Sequence, residues 1–247
     1  MNLFESNLSK VKGIFLVNFL LSLSYLVMYG MTTTQAAYSF VVFFVMNCLG
    51  ITITYHRYYS HNSFKFKNKI TEIFCALCGM ISCSGSVLGW VGIHRSHHKH
   101  SDTQQDPHQA ELGILSMIVL DYKYIPSSKM LIDLLKNKFI LLSHRYYFVP
   151  SVVYCLSLYF AFGLDGLVFG FCLPSFVTLF SEGFTNYINH TNNTKHEATN
   201  VWWMNFFSFG DGWHKNHHET PKSFTTSTRW YEIDVSGLVI KYIVGKV

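Results

Sequence analysis

Residues 36–61 read AAYSFVVFFVMNCLGITITYHRYYSH, and this stretch decides the fold. Residues 36–55 carry no charge, and a helix of about 20 apolar residues crosses the hydrocarbon core of a bilayer. The run then ends abruptly in HRYYSH, which puts His56 and His61 at a membrane border. Upstream, residues 11–29 form another apolar run. It is too long for a signal-peptide core and lacks a clear small-residue cleavage site. Only the uncharged residues 30–35 separate the two runs, so they predict a helical hairpin. Lys10 and Lys12 lie before it and Arg57, Lys65, Lys67 and Lys69 after it, with none in the turn. By the positive-inside rule, both ends of the hairpin are cytoplasmic.

Downstream, residues 70–93 are apolar but weaker, interrupted by Glu72, three cysteines and the Ser/Gly-rich 82–86. An interfacial or re-entrant segment fits them better than a full crossing. A polar region over 94–145 follows, with an amphipathic piece at 129–142. Residues 147–162 and 164–184 then flank Gly163 as a second tight hairpin. The expectation is a single all-α integral-membrane domain over 1–247. Four spans lie at about 11–29, 36–55, 147–162 and 164–184, with five as the alternative. A helical cap holding a di-metal site, and both termini, lie on the cytoplasmic side.

Composition agrees. Charged residues make up 13% of the chain, against about 25% in soluble domains, and mean hydropathy is +0.20. The net charge of +5 forms no basic stripe, and the cations sit beside apolar runs, where lipid headgroups lie. Nucleic acid is excluded as a partner and membrane lipid expected. All six cysteines fall in apolar runs, where cysteine packs as a small hydrophobe. The CxxC at Cys75 and Cys78 has no second pair at zinc or iron–sulfur spacing.

The chain holds 13 histidines, and their placement is ordered. His94, His97 and His98 form HRSHH; His214, His217 and His218 form HKNHH; His190 closes NYINH. On a helix, i, i+3 and i+4 share a face, so each HxxHH gathers three imidazoles on one side. HxxxxH is different: five residues at 3.6 per turn separate His56 from His61 by about 140°. That pair serves two sites, or one site where the helix frays. Imidazole suits zinc, copper, iron or nickel. Nine such ligands are too many for one metal and fit two. His100, His108, His144 and His196 are set aside as surface or satisfied core residues.

These motifs resemble the membrane fatty-acid desaturases, above all the acyl-CoA Δ9 (stearoyl-type) branch and its bacterial relatives. HRYYSH stands at the first histidine box, HRSHHKHSDTQQDPH at the second with its DPH block, and GDGWHKNHH at the third. NYINH is similar to the family's Asn-x-x-x-His element. The resemblance implies that His56, His61, His94, His97, His98, His190, His214, His217 and His218 bind two irons, with Asn186 acting through a water. It implies a fatty-acyl desaturase that makes a cis double bond, Δ9 above others, in a long-chain acyl thioester or lipid. Dioxygen is the co-substrate, and two electrons come from an external donor such as cytochrome b5 or ferredoxin. CoA, a carrier protein and a lipid all stay open as the acyl carrier. Trp90, four residues before His94, is a candidate wall of the substrate tunnel or an interfacial anchor. Arg57 and Arg95 pair with carboxylates or meet a headgroup. Asp102, Asp106, Glu182, Asp211 and Glu219 are candidates to accept hydrogen bonds from ligand imidazoles. The nearest rival is a di-iron hydroxylase of lipids, alkanes or sterols. A metal transporter or sensor would need ligands along a path through the membrane, and a dead scaffold would lack box histidines.

Overall fold

The computed structural model describes residues 3–101, 103–108, 113–118, 126–191 and 197–247. Helix α1 spans Leu3–Tyr29 and stops at Gly30, whose φ of 73° favours a residue without Cβ. Thr32 then starts the next helix with a capping box. Its hydroxyl accepts from Gln35 N at 3.2 Å while Gln35 Oε1 accepts from Thr32 N at 2.8 Å, satisfying two exposed amide donors. Helix α2 runs over Thr33–Ser60, so it continues past the expected end at 55 and carries the first histidine itself. From Val45 onward its winding widens to i→i+5 hydrogen bonding. Side chains follow the same step: Thr54 Oγ1 donates to Leu49 O at 2.6 Å and Ser60 Oγ to Tyr55 O at 2.8 Å.

Residues 70–93 do not form one helix. Asn68 caps α3, Lys69–Ile81, and Ser86 caps α4, Val87–His100. Between them Cys83 and Gly85 both take positive φ, 67° and 93°. Helix α3 lies hard against α2: a Cβ on Gly50 would come within 2.3 Å of Gly79 N. The expected amphipathic piece at 129–142 is also divided. Short turns at Ser128–Leu131 and Ile132–Leu135 precede α5, Lys138–Arg145, which Asn137 caps through Phe139 N and Ile140 N.

Among the described residues three helices are long and apolar enough to cross a membrane: Val11–Tyr29 within α1, α2, and α6 at Val149–Thr191. The last is not straight. Gly163 has φ 63° and ψ −150°, and Tyr154 and Phe171 lie with ring centroids 6.3 Å apart. Along a straight helix these two would be separated by about 25 Å, so α6 doubles back at Gly163. Both turns sit at one end of the molecule, because Asp165 accepts from Tyr25 Oη and from Gln35 Nε2. Buried bonds from Asn18 to Ser175 and from Ser39 to Phe169 O tie α1 and α2 to the returning half of α6. The histidine-bearing ends of α2 and α6 therefore lie at the opposite end.

Helix α7 (His214–Glu219) carries the third box, and apolar helix α8 (Val235–Val244) follows it. Among the described residues one small ladder stands beside the helices: β1 (Lys65–Phe66) pairs antiparallel with β2 (Gly245–Lys246). It clasps the end of the chain to the loop that follows His61.

Candidate metal centre

Four elements converge at the end away from the turns. Helix α2 brings His56, with His61 one residue past its end; α4 brings His94, His97 and His98; α6 brings His190; α7 brings His214, His217 and His218. The nine divide into two groups, His56, His61, His94, His98 and His217 in one, His97, His190, His214 and His218 in the other. Within each group the ligand nitrogens lie within 4.8 Å of one another. His56 Nε2 is 2.8 Å from His217 Nε2, His61 Nε2 2.9 Å from His94 Nε2, and His190 Nε2 3.0 Å from His214 Nε2.

The grouping corrects a simple reading of the motifs. Each HxxHH is shared: its i, i+4 pair serves one group and its i+3 histidine the other, and the two motifs do so in opposite senses. His56 and His61, about 140° apart on an α-helix, fall into the same group. The wide winding of α2 causes this, since an i→i+5 helix brings residues five apart to nearly one face.

The donor set fits metal ions. Ionised carboxylates only accept, so the imidazoles bonded to them carry hydrogen on Nδ1 and turn the Nε2 lone pair inward. Asp211 Oδ2 binds His56 Nδ1 at 3.0 Å and Asp106 binds His97 Nδ1 at 2.9 Å. Burial pushes the Asp211 carboxyl up, but His56 and then Arg57 outweigh it and hold it below its ordinary value. Burial, and then neighbouring imidazoles, hold His61, His94, His97, His98, His214 and His217 below the ordinary histidine value. Neutral imidazoles facing one another at these distances are what a borderline cation takes as ligands. Each group could hold one metal ion.

A shell of long-range bonds surrounds the imidazoles. Arg57 is buried and reaches Asp211 at 3.0 Å and Asp234 at 2.7 Å; the carboxylate alternative is the one realised. Asp234 also accepts from Thr226 N and Gly237 N. Gly210, at φ 137°, lets this network close, since a Cβ there would lie 2.0 Å from Asp234 Oδ1. Arg95 likewise meets a carboxylate, Asp133, along with the carbonyls of Tyr59, Ser60 and Met130. Asn216 braces the third box by donating to Glu232 at 2.9 Å and to Thr226 O at 3.0 Å.

Trp90 stacks on His94, with centroids 5.0 Å apart and planes at 22°. Its indole N–H donates to Glu182 at 2.7 Å, and Ser84 donates to the other oxygen of the same carboxylate. Glu182 thus holds Trp90 rather than an imidazole. Trp90, Glu182 and Asn186 line a cavity of about 50 Å³ that reaches His56, His94 and His214. Asn186 Nδ2 donates to the Glu182 carbonyl within the helix. Thr185 Oγ1 and His214 Nδ1, both buried on this cavity, have no hydrogen-bond partner among the described residues. A polar space of this size accommodates water.

The histidines set aside divide. His108 is buried, with its ring 4.9 Å from that of His97, and burial, then His190 and His218, push it down to about 3. His144 is a satisfied core residue whose Nδ1 meets Ser86 Oγ at 2.5 Å. Glu219 is exposed and faces Lys215 at 3.9 Å, away from the imidazoles. Asp102 and His196 lie outside the described residues. Arg57–Asp234 and Trp90–Glu182 were not recognisable as pairs in the sequence, because their partners lie 177 and 92 residues apart.

Comparison with known proteins supplies the last observations. A family model described as fatty acid desaturase matches residues 33–234. The sn-1 stearoyl-lipid 9-desaturase of Synechocystis sp. is 33% identical over 83% of the chain and 67% of that protein. The Delta-9 acyl-lipid desaturase 2 of Arabidopsis thaliana is 30% identical over 86% of the chain and 74% of its own length. For the sn-2 palmitoyl-lipid 9-desaturase of Nostoc sp. the identity is 32%, over 76% of the chain and 70% of that protein.

Proposed function

The chain belongs to the fatty acid desaturase family, and from that premise we propose that it is a Δ9 acyl desaturase holding a pair of irons in its histidine cluster. The observation that carries the reading is the division of nine imidazoles into two adjoining groups. A long-chain acyl group is the substrate, and the names of the relatives favour a lipid as its carrier. They are desaturases, so the hydroxylase reading on the same scaffold is not favoured.

When bound, the iron pair would supply the oxidising power that, with dioxygen and two electrons from a donor such as cytochrome b5 or ferredoxin, removes two hydrogens from adjacent methylenes. The protein's own work is positioning. Asp211 and Asp106 orient His56 and His97, and Arg57 keeps Asp211 in place. Asn186, on the cavity wall, acts through a water. Trp90, held flat on His94 by Glu182, forms the wall along which the acyl chain passes the centre. Around it, apolar residues such as Ile51 exclude bulk water.

In the bilayer, the hairpin of α1 and α2 and the hairpin within α6 supply four crossings, with α3 and α4 at the interface. Both termini and the histidine cluster face the cytoplasm. Support comes from the two turns bonded at one end of the molecule and from the lysines that lie before the apolar part of α1 and after α2, with none in the turn between.

The test is metal content and acyl composition of membranes expressing the wild type and His97→Ala. Two irons per chain and a new monounsaturated acyl chain, both lost in the variant, are expected. A hydroxylated product would replace the desaturase reading with the hydroxylase, and full activity in His97→Ala would remove that residue from the ligand set.

A further inference from the structure

The clasp between β1 and β2 pairs two cations. Lys65 stands directly opposite Lys246, and like charges across an antiparallel ladder repel. Lys69 joins them, and the three lysines with Tyr58, Asn62 and Glu72 line a pocket of about 640 Å³. Glu72 does not neutralise the pair. Its carboxylate is engaged by Lys69 at 2.7 Å and by Tyr59 Oη at 3.0 Å. Lys67 is drawn away to the carbonyl of Tyr242 at 3.0 Å. Glu72 is the one acid among the described residues that line the pocket, and its Oε1 already takes Lys69 and Tyr59, so Lys65 and Lys246 stand against each other with positive charge in excess.

The neighbouring surface says where a balancing anion comes from. Ile70 is 82% exposed, and Tyr242 and Ile243 are 65% exposed, all on α3 and α8 beside the clasp. Large apolar side chains exposed next to lysines mark the depth at which a chain meets headgroups. We propose that the pocket under the β1–β2 clasp binds the phosphate of an anionic phospholipid headgroup, with Lys65 and Lys246 as its cations. The pocket adjoins the loop that carries His61, since Tyr58 and Asn62 flank that ligand. A lipid seated there rests at the border of the metal centre. The lipid-carrier reading above is thereby given a recognition site, although the binding itself does not depend on desaturation.

The test uses the full chain purified in uncharged detergent, as wild type and as Lys65→Gln/Lys246→Gln. Phosphatidylglycerol, phosphatidylcholine or inorganic phosphate is added, and retained lipid and the midpoint of thermal unfolding are read. In detergent alone the double variant is expected to be the more stable, because the repulsion is gone. Phosphatidylglycerol should raise the wild type more than the variant, and the variant should retain about thirtyfold less of it, the factor two lysines near a headgroup supply. Equal retention and equal shifts in both proteins would overturn the proposal, as would phosphatidylcholine matching phosphatidylglycerol. A full effect from inorganic phosphate alone would overturn the headgroup and leave a simple anion site. Metal content, measured in parallel, is expected to be unchanged in the variant. None of these readouts needs turnover, so their failure and that of the desaturase reading are separately visible.

Discussion

At Asp211 two tasks meet in one carboxylate: one oxygen takes the Nδ1 hydrogen of His56, the other takes Arg57. Replacing it with Asn keeps the size but offers one acceptor where two are used, and leaves Arg57 leaning on Asp234 alone. Partners of this kind typically change metal affinity by 10- to 100-fold. Asp211→Asn should therefore release its bound metal to a chelator at that much lower concentration, while Glu219→Gln, on an exposed acid, should not differ from wild type. Equal retention in both would mean that His56 needs no orienting partner. Asp211 and Asp106 could be nominated from sequence because they sit near the boxes. Glu182 lies near the boxes in the same way, but its partners are Trp90 and Ser84, since it projects from the cavity wall of α6 towards α4.

Among the elements, α2 carries the most consequence. Its wide winding from Val45 to Ser60 turns HxxxxH from a divergent pair into a convergent one. The winding is pressed against α3 at Gly50, where an added Cβ would meet Gly79 N at 2.3 Å and Cys78 C at 2.6 Å. Backbone atoms cannot swing aside as a side chain does, so Gly50→Ala must push the helices apart. Overpacking of this kind costs about 1–3 kcal/mol. A lowered thermal midpoint in detergent, with reduced iron because His56 and His61 shift together, is the expected result. Gly13, inside α1 where an added Cβ meets nothing within 4 Å, provides the control: Gly13→Ala should leave bound metal unchanged and should not lower the midpoint, since alanine favours the helix over glycine.

For the whole molecule, the question is which face each turn occupies. The turns at 30–32 and around Gly163 share one end through Asp165, and the histidines occupy the other. A single added cysteine reports this directly. Thr32→Cys should react with a membrane-impermeant maleimide from outside intact cells, and Ser127→Cys only after the cells are opened. Labelling of both from the same side would break the four-crossing reading and restore five as the count to test.

Much of this protein was determined by sequence alone, because the signals concerned are local. Apolar length sets which segments can enter a bilayer, and the spacing in HRSHH and HKNHH sets which imidazoles share a helix. Gly163 between two apolar runs was enough to predict the second hairpin. Tertiary structure alone decided the rest. How each HxxHH divides between the two groups depends on where four elements approach one another. Whether His56 and His61 agree depends on a winding that α2 adopts against its neighbours. Arg57 with Asp234, Trp90 with Glu182, and Lys65 with Lys246 are contacts across 92 to 181 residues. Chain-distant pairing is set by packing and leaves no trace in the spacing of either partner.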